Sequence, residues 1–226
     1  MKLKNGKLIL FFPSIVYEIL QWVVFPLNYL IGIVCNIQPG RSVWNEKDFK
    51  SQKLEGSGRS LADIKNDIVS ENDVAYKEAD LVLLYDSLPE VSAYNDMIGN
   101  TWKGKILRTN ASVLDVAEWL LVRPLGLLGL KWGKRFRQQD LGDPLIVRWF
   151  NRFYFPLPIW GNVCMIDVRW RDVPTATMIY DRQPWKDYFR LLHKENGKVV
   201  LLGVWTHKEI AGGWFTLTLD ADAVTN

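Results

Sequence analysis

Four side chains in this sequence have the types needed to move protons in an apolar setting: Lys134, Tyr180, Asp181 and Asp187. A carboxylate withdrawn from water has its charged form disfavoured, which lifts its pKa toward the range useful to an acid or base. A tyrosine hydroxyl or a lysine ammonium beside it can polarise a carbonyl or epoxide oxygen. Such a set suits isomerisation, cyclisation or dehydration of a hydrophobic molecule without a cofactor. Arg135 follows Lys134 and would orient a polar group. The competing reading is structural, with Asp181 capping a turn and Asp187 salt-bridged to Lys134 or Arg135 at a rim, because ordinary ion pairs also perturb pKa values.

Other chemistries find little footing. His193 and His207 are the two imidazoles, and Cys35 and Cys164 are the two thiols. Neither pair has metal-ligand spacing, and two distant cysteines make no disulfide framework. No Gly-rich phosphate loop, dinucleotide fingerprint or serine nucleophile elbow is present. No metal or cofactor is therefore expected. A formal net charge of +3 over 226 residues is too small to point to nucleic acid.

The elements that must hold these groups are strands. From Asn162 to Leu219, runs rich in Val, Ile, Thr, Phe, Tyr and Trp recur between turn residues. Cys164, Ile166, Val168 and Trp170 alternate with Asp167, Arg169 and Arg171, the period-two pattern of a half-buried strand. Further strands are expected over Thr175–Tyr180, Trp185–Lys194, Val199–Trp205 and Trp214–Leu219. Asn196-Gly197 is the strongest turn signal, since both residues tolerate the positive φ of a tight hairpin. Upstream, Met97–Arg108, Leu130–Arg137 and Leu145–Phe155 read as strands, with Lys134 and Phe136 on one face and Arg135 and Arg137 on the other. The pattern predicts a mainly β fold, a small antiparallel lipocalin- or calycin-like barrel over residues 91–226. Eleven tryptophans suit either an aromatic-rich core or the wall of a ligand cavity. Trp102, Trp132, Arg135, Phe136, Met178, Tyr188, Phe189 and Trp205 are the side chains expected to contact a small hydrophobic ligand there.

The first 90 residues read differently. Lys2, Lys4 and Lys7 precede an apolar stretch, and Ile19–Ile37 carries no charge. Pro13, Pro26 and Glu18 interrupt it, so residues 8–37 either cross a membrane, lie in its interface or pack on the barrel as a helix pair. Residues 1–40 are thus expected to be a helical, membrane-associated extension, with the barrel on the cytoplasmic side, where free cysteines persist. Residues 41–90 are expected to be linker and helices: Ser60 opens one as a capping residue, and Ala75–Leu88 forms another, ended by Pro89. Val113–Leu121 has helical spacing, and Pro124–Gly129 reads as a loop.

Taken in order, IGNTWKGK, KWGKRFR with Asp143-Pro144-Leu145, TATMIYDRQPWKDYF and the strand pair after NGK resemble the Gly-x-Trp-x-Gly (GXWXG) family with its companion domain of unknown function. The resemblance covers about residues 81–220. It implies a small antiparallel barrel able to hold an apolar molecule. This chain departs from the family pattern at Asn100, which replaces the first glycine, and at Tyr188, which replaces a histidine.

Overall fold

The computed structural model describes residues 56–109, 114–115, 118–150, 153–157, 160–207 and 210–223, together with a short antiparallel pair, Leu3–Lys4 with Lys7–Leu8. The chain divides into two compact units, Met1–Ile37 and Gln38–Asn226. Residues 9–37, which carry most of the expected membrane segment, lie outside the described residues. No helix among the described residues is long and apolar enough to cross a membrane.

The second unit is mainly β. Its strands are β1 (Thr101–Leu107), β2 (Leu130–Gln138), β3 (Leu141–Trp149), β4 (Phe153–Pro156), β5 (Val163–Trp170), β6 (Val173–Tyr180), β7 (Trp185–Glu195), β8 (Lys198–His207) and β9 (Ile210–Leu219). They form one antiparallel sheet in the order β4-β3-β2-β1-β9-β8-β7-β6-β5. Each strand from β5 to β8 pairs with its successor, as tight hairpins allow. Asn196 and Gly197, at φ 50° and 76°, turn β7 into β8 as their residue types predict. Arg171 and Asp172 make the corresponding turn between β5 and β6, also at positive φ.

The expected closed barrel is corrected by this sheet. Strands β4 and β5 end it and do not pair with one another. The sheet curls instead, and the β2–β3 turn laps against β5. There Met165 N–H donates to Gln139 O at 2.6 Å, and Gly142 N–H to Asn162 Oδ1 at 2.9 Å. Asn162 Nδ2 also donates to Asp140 O.

Three local expectations are corrected too. Leu145–Phe155 is not one strand, because Phe150, at φ 47°, turns the chain between β3 and β4. The first strand begins at Thr101, after a wide helical turn over Ala93–Met97. Pro124–Gly129 is largely helix, Arg123–Leu127, since a proline in the first turn lacks only an N–H that had no helical partner.

Helices α1 (Leu61–Val69) and α2 (Glu78–Ser87) cover one face of the sheet. Ser60 caps α1 by accepting Asp63 N–H at 3.1 Å. Ile64, Ile68, Leu81, Leu84 and Tyr85 pack with Leu107, Tyr188, Leu192, Leu202, Val204 and Trp214 in a buried cluster. Successive strand residues point to opposite faces, so Asp187, Phe189, Gly203 and Phe215 belong to the other, inner face.

Candidate functional site: a buried lysine, aspartate and tyrosine among aromatic rings

The inner face brings Lys134 of β2, Tyr180 of β6 and Asp187 of β7 together. Lys134 Nζ lies 3.0 Å from Asp187 Oδ2 and donates to Tyr180 OH at 3.0 Å and to Pro144 O at 3.1 Å. The Tyr180 hydroxyl donates to Asp187 Oδ2 at 3.2 Å. All three side chains are buried.

Pro144 makes this arrangement possible. Gly133 pairs with Ile146 and Arg135 with Asp143, so Pro144 and Leu145 together oppose Lys134. A proline has no N–H for the ladder and is tolerated at such a bulge. Its carbonyl accepts the lysine side chain instead.

Rings surround the three groups. Lys134 Nζ lies 5.4 Å from the Tyr180 ring centroid, 5.5 Å from that of Phe215 and 6.0 Å from that of Trp132. Phe189 meets both Phe136 and Phe215 edge to face. Trp185 meets Tyr180, Trp160 and Trp205 in the same manner. Two glycines make room: a Cβ on Gly104 would stand 2.3 Å from the Trp132 ring, and one on Gly203 would stand 2.6 Å from Phe215.

Burial in this apolar shell dominates the titration of the three groups. It pushes the Lys134 ammonium down and the Asp187 carboxyl up, each opposed by attraction to the other. Burial, and then the adjacent Asp187 charge, hold the Tyr180 phenol well above its ordinary value. Two atoms of this cluster are left over: Asp187 Oδ1 and Trp132 Nε1 are buried and have no hydrogen-bond partner.

The remaining expected site residues divide. Phe136, Met178, Phe189 and Trp102 are buried, as is Trp205 beside Trp185. Asp181 is apart from the other three acid–base candidates; it is exposed, and its Oδ1 accepts Asn162 N–H at 2.9 Å. Arg135 donates to Asp143 Oδ2 at 2.8 Å, and Arg137 pairs with the same carboxylate. Tyr188 stacks on Trp170 at 4.0 Å between ring centroids, on the face that the helices cover. Strand alternation separates Arg135 from Lys134 and Tyr188 from Asp187, whereas Asp181 lies past the end of β6 in the turn. Sequence reasoning missed Trp160, Trp185 and Phe215, whose strand or turn positions beside Tyr180 and Asp187 depend on register. It also missed a second buried polar group, in which Asp220 accepts from Arg148 at 3.3 Å and Tyr154 at 2.9 Å and pairs with Lys103 at 2.9 Å.

The fold and this inner cluster define a mainly β protein built on a single curled antiparallel sheet. A family model described as a domain of unknown function (DUF4334) matches residues 162–219, the stretch from the end of the β4–β5 connection through β9. The chain is also similar to a crystal structure of a protein from Thermomonospora curvata, with 26% sequence identity and a TM-score of 0.55, covering 71% of this chain and 97% of that one. No curated protein matches it.

Proposed function

We propose that the inner face of the sheet binds a small, largely apolar molecule that reaches the Lys134–Tyr180–Asp187 cluster. The observation that carries this reading is Asp187 Oδ1, a buried carboxylate oxygen without a partner inside a shell of rings. Leaving such an atom unsatisfied costs about 1–3 kcal/mol, more when it bears charge, and a bound hydrogen-bond donor removes that cost. The resemblance of residues 81–220 to the Gly-x-Trp-x-Gly family supports the same reading. The test is native mass spectrometry and organic extraction of the purified full chain. Co-purification of one apolar species, released by Asp187→Leu, is expected; an extract free of apolar compounds, with no shift on adding them, would sink the reading.

A second reading is favoured by the upward shift of the Asp187 carboxyl. In it, the same cluster isomerises, cyclises or dehydrates the bound molecule without a cofactor. Asp187 exchanges the proton, and Tyr180 donates a hydrogen bond to the developing oxyanion. Asp187→Asn then abolishes turnover even at saturating ligand, so the loss appears in kcat and not only in affinity.

Membrane association completes the proposal, with residues 8–37 as the anchor and the sheet on the cytoplasmic side. An exposed apolar patch supports a surface role. Leu127 is 90% exposed, and Trp119, Leu128 and Phe150 are each more than 60% exposed. Phe150 N–H donates to Gly129 O, and Trp149 meets Phe150 and Phe153 at tilted angles, which joins the Arg123–Leu127 helix and β3–β4 parts of the patch.

A further inference from the structure

We infer that the molecule held at this site is neutral and presents a hydroxyl-type group, one that donates to Asp187 Oδ1 and accepts from Trp132 Nε1. This inference rests on the binding reading above and narrows it to a class of ligand. Its basis is a count of donors and acceptors. A lysine ammonium has three N–H donors. Those of Lys134 are directed at Asp187 Oδ2, Tyr180 OH and Pro144 O. The single hydrogen of Tyr180 goes to Asp187 Oδ2. Two buried polar atoms of the cluster remain: the acceptor Asp187 Oδ1 and the donor Trp132 Nε1. Both side chains flank Lys134, whose Nζ lies 3.0 Å from Asp187 Oδ2 and 6.0 Å from the Trp132 ring centroid.

Charge narrows the class further. A ligand carboxylate would set a second negative charge beside Asp187, with the Lys134 donors already used. A ligand ammonium would stand beside the Lys134 ammonium in the same desolvated space, and its attraction to Asp187 is already shared with that lysine. An ether or an alkane cannot donate to Oδ1. An alcohol carries both the donor that Asp187 Oδ1 lacks and the acceptor that Trp132 Nε1 lacks, and its chain suits the rings of Phe189, Phe215 and Trp205.

The experiment is a titration of the full chain with five probes of equal chain length: 1-decanol, decyl methyl ether, decane, decanoate and decylamine. Affinity is read by calorimetry at pH 7. Decanol should bind best, the ether about tenfold more weakly, and decanoate and decylamine at least as poorly as decane. Trp132→Phe should weaken decanol about fivefold and leave decane unchanged. Asp187→Asn turns its amide oxygen to Lys134 and its NH₂ to the former Oδ1 position. That variant should reverse the order, so that the ether binds better than decanol. Equal affinity across the panel, or a preference for decanoate or decylamine, overturns the inference while leaving the binding reading standing. If none of the five binds and an ordered water alone occupies Oδ1 in a crystal structure, the binding reading falls and this inference with it.

Discussion

The carbonyl of Pro144 and the ammonium of Lys134 meet at 3.1 Å where β3 slips one residue against β2. The slip supplies the third acceptor for a cation that is otherwise surrounded by rings, so the bulge and the buried charge belong to one design.

Lys134→Met tests that dependence. Removing the cation leaves Asp187 buried without its counter-charge, which typically costs about 3–5 kcal/mol. Replacing both partners, as in Lys134→Met with Asp187→Leu, should recover most of that loss, because well-packed apolar groups often match a buried pair. Urea denaturation of the two variants and the parent measures both. A single variant as stable as the parent would show that the pair carries no such coupling.

Alkaline pH should unfold this protein through its tyrosines. Tyr180 is held well above 10, and Tyr76 and Tyr154 are each pushed up to about 12, in every case chiefly by burial. A raised pKa in the fold means that the unfolded chain releases the proton first. The stability from the protonated phenols is therefore complete below about pH 10 and is lost as pH rises above it. Tyr180 alone contributes a slope of about 1.4 kcal/mol per pH unit in that window. Tyr180→Phe should flatten the decline, measured as urea stability at pH 9 to 11.5. The part of the tyrosinate absorbance that Tyr180→Phe removes should rise together with unfolding rather than before it.

Gly104→Ala should destabilise the sheet by about 1–3 kcal/mol, the usual cost of overpacking, because its methyl group would enter the ring of Trp132. Combined with Trp132→Leu, the same alanine should be far better tolerated. Thermal melts of the four corners of this cycle give the coupling directly.

The strands of this fold were legible because their signal is local. The strand over Cys164–Trp170 and the Asn196-Gly197 turn both appear where they are expected, although Val163 and Met165, on the opposite face, are the strand's buried residues. The pairing of Lys134 with Phe136 on one face also follows from period two. Closure was not legible, since whether two end strands meet depends on twist accumulated over the whole sheet. Nor was the β2–β3 register, because Pro144 could have ended a strand as readily as bulged one. The site was half readable. Period two separates Tyr188 from Asp187, and Asp181 lies just past the end of its strand, beyond the reach of that pattern. The convergence of β2, β6 and β7 needs the curl itself.

The exposed patch yields a prediction about surfaces. Replacing Leu127, Trp149 and Phe150 with serine should lower partition of the full chain onto vesicles of mixed neutral and anionic lipid by about tenfold or more, as expected when apolar area leaves the interface. These side chains are exposed, so the melting temperature should stay close to that of the parent. Unchanged sedimentation with vesicles would remove the patch from the membrane proposal.

The β2–β3 turn and β5 meet through scattered bonds that tie Gln139, Asp140 and Gly142 to Asn162 and Met165, not through a ladder. Parting them there breaks those few links and leaves every strand pairing whole. Opening on that side therefore needs only local unfastening, whereas a fully sealed cylinder could open only by tearing strands apart.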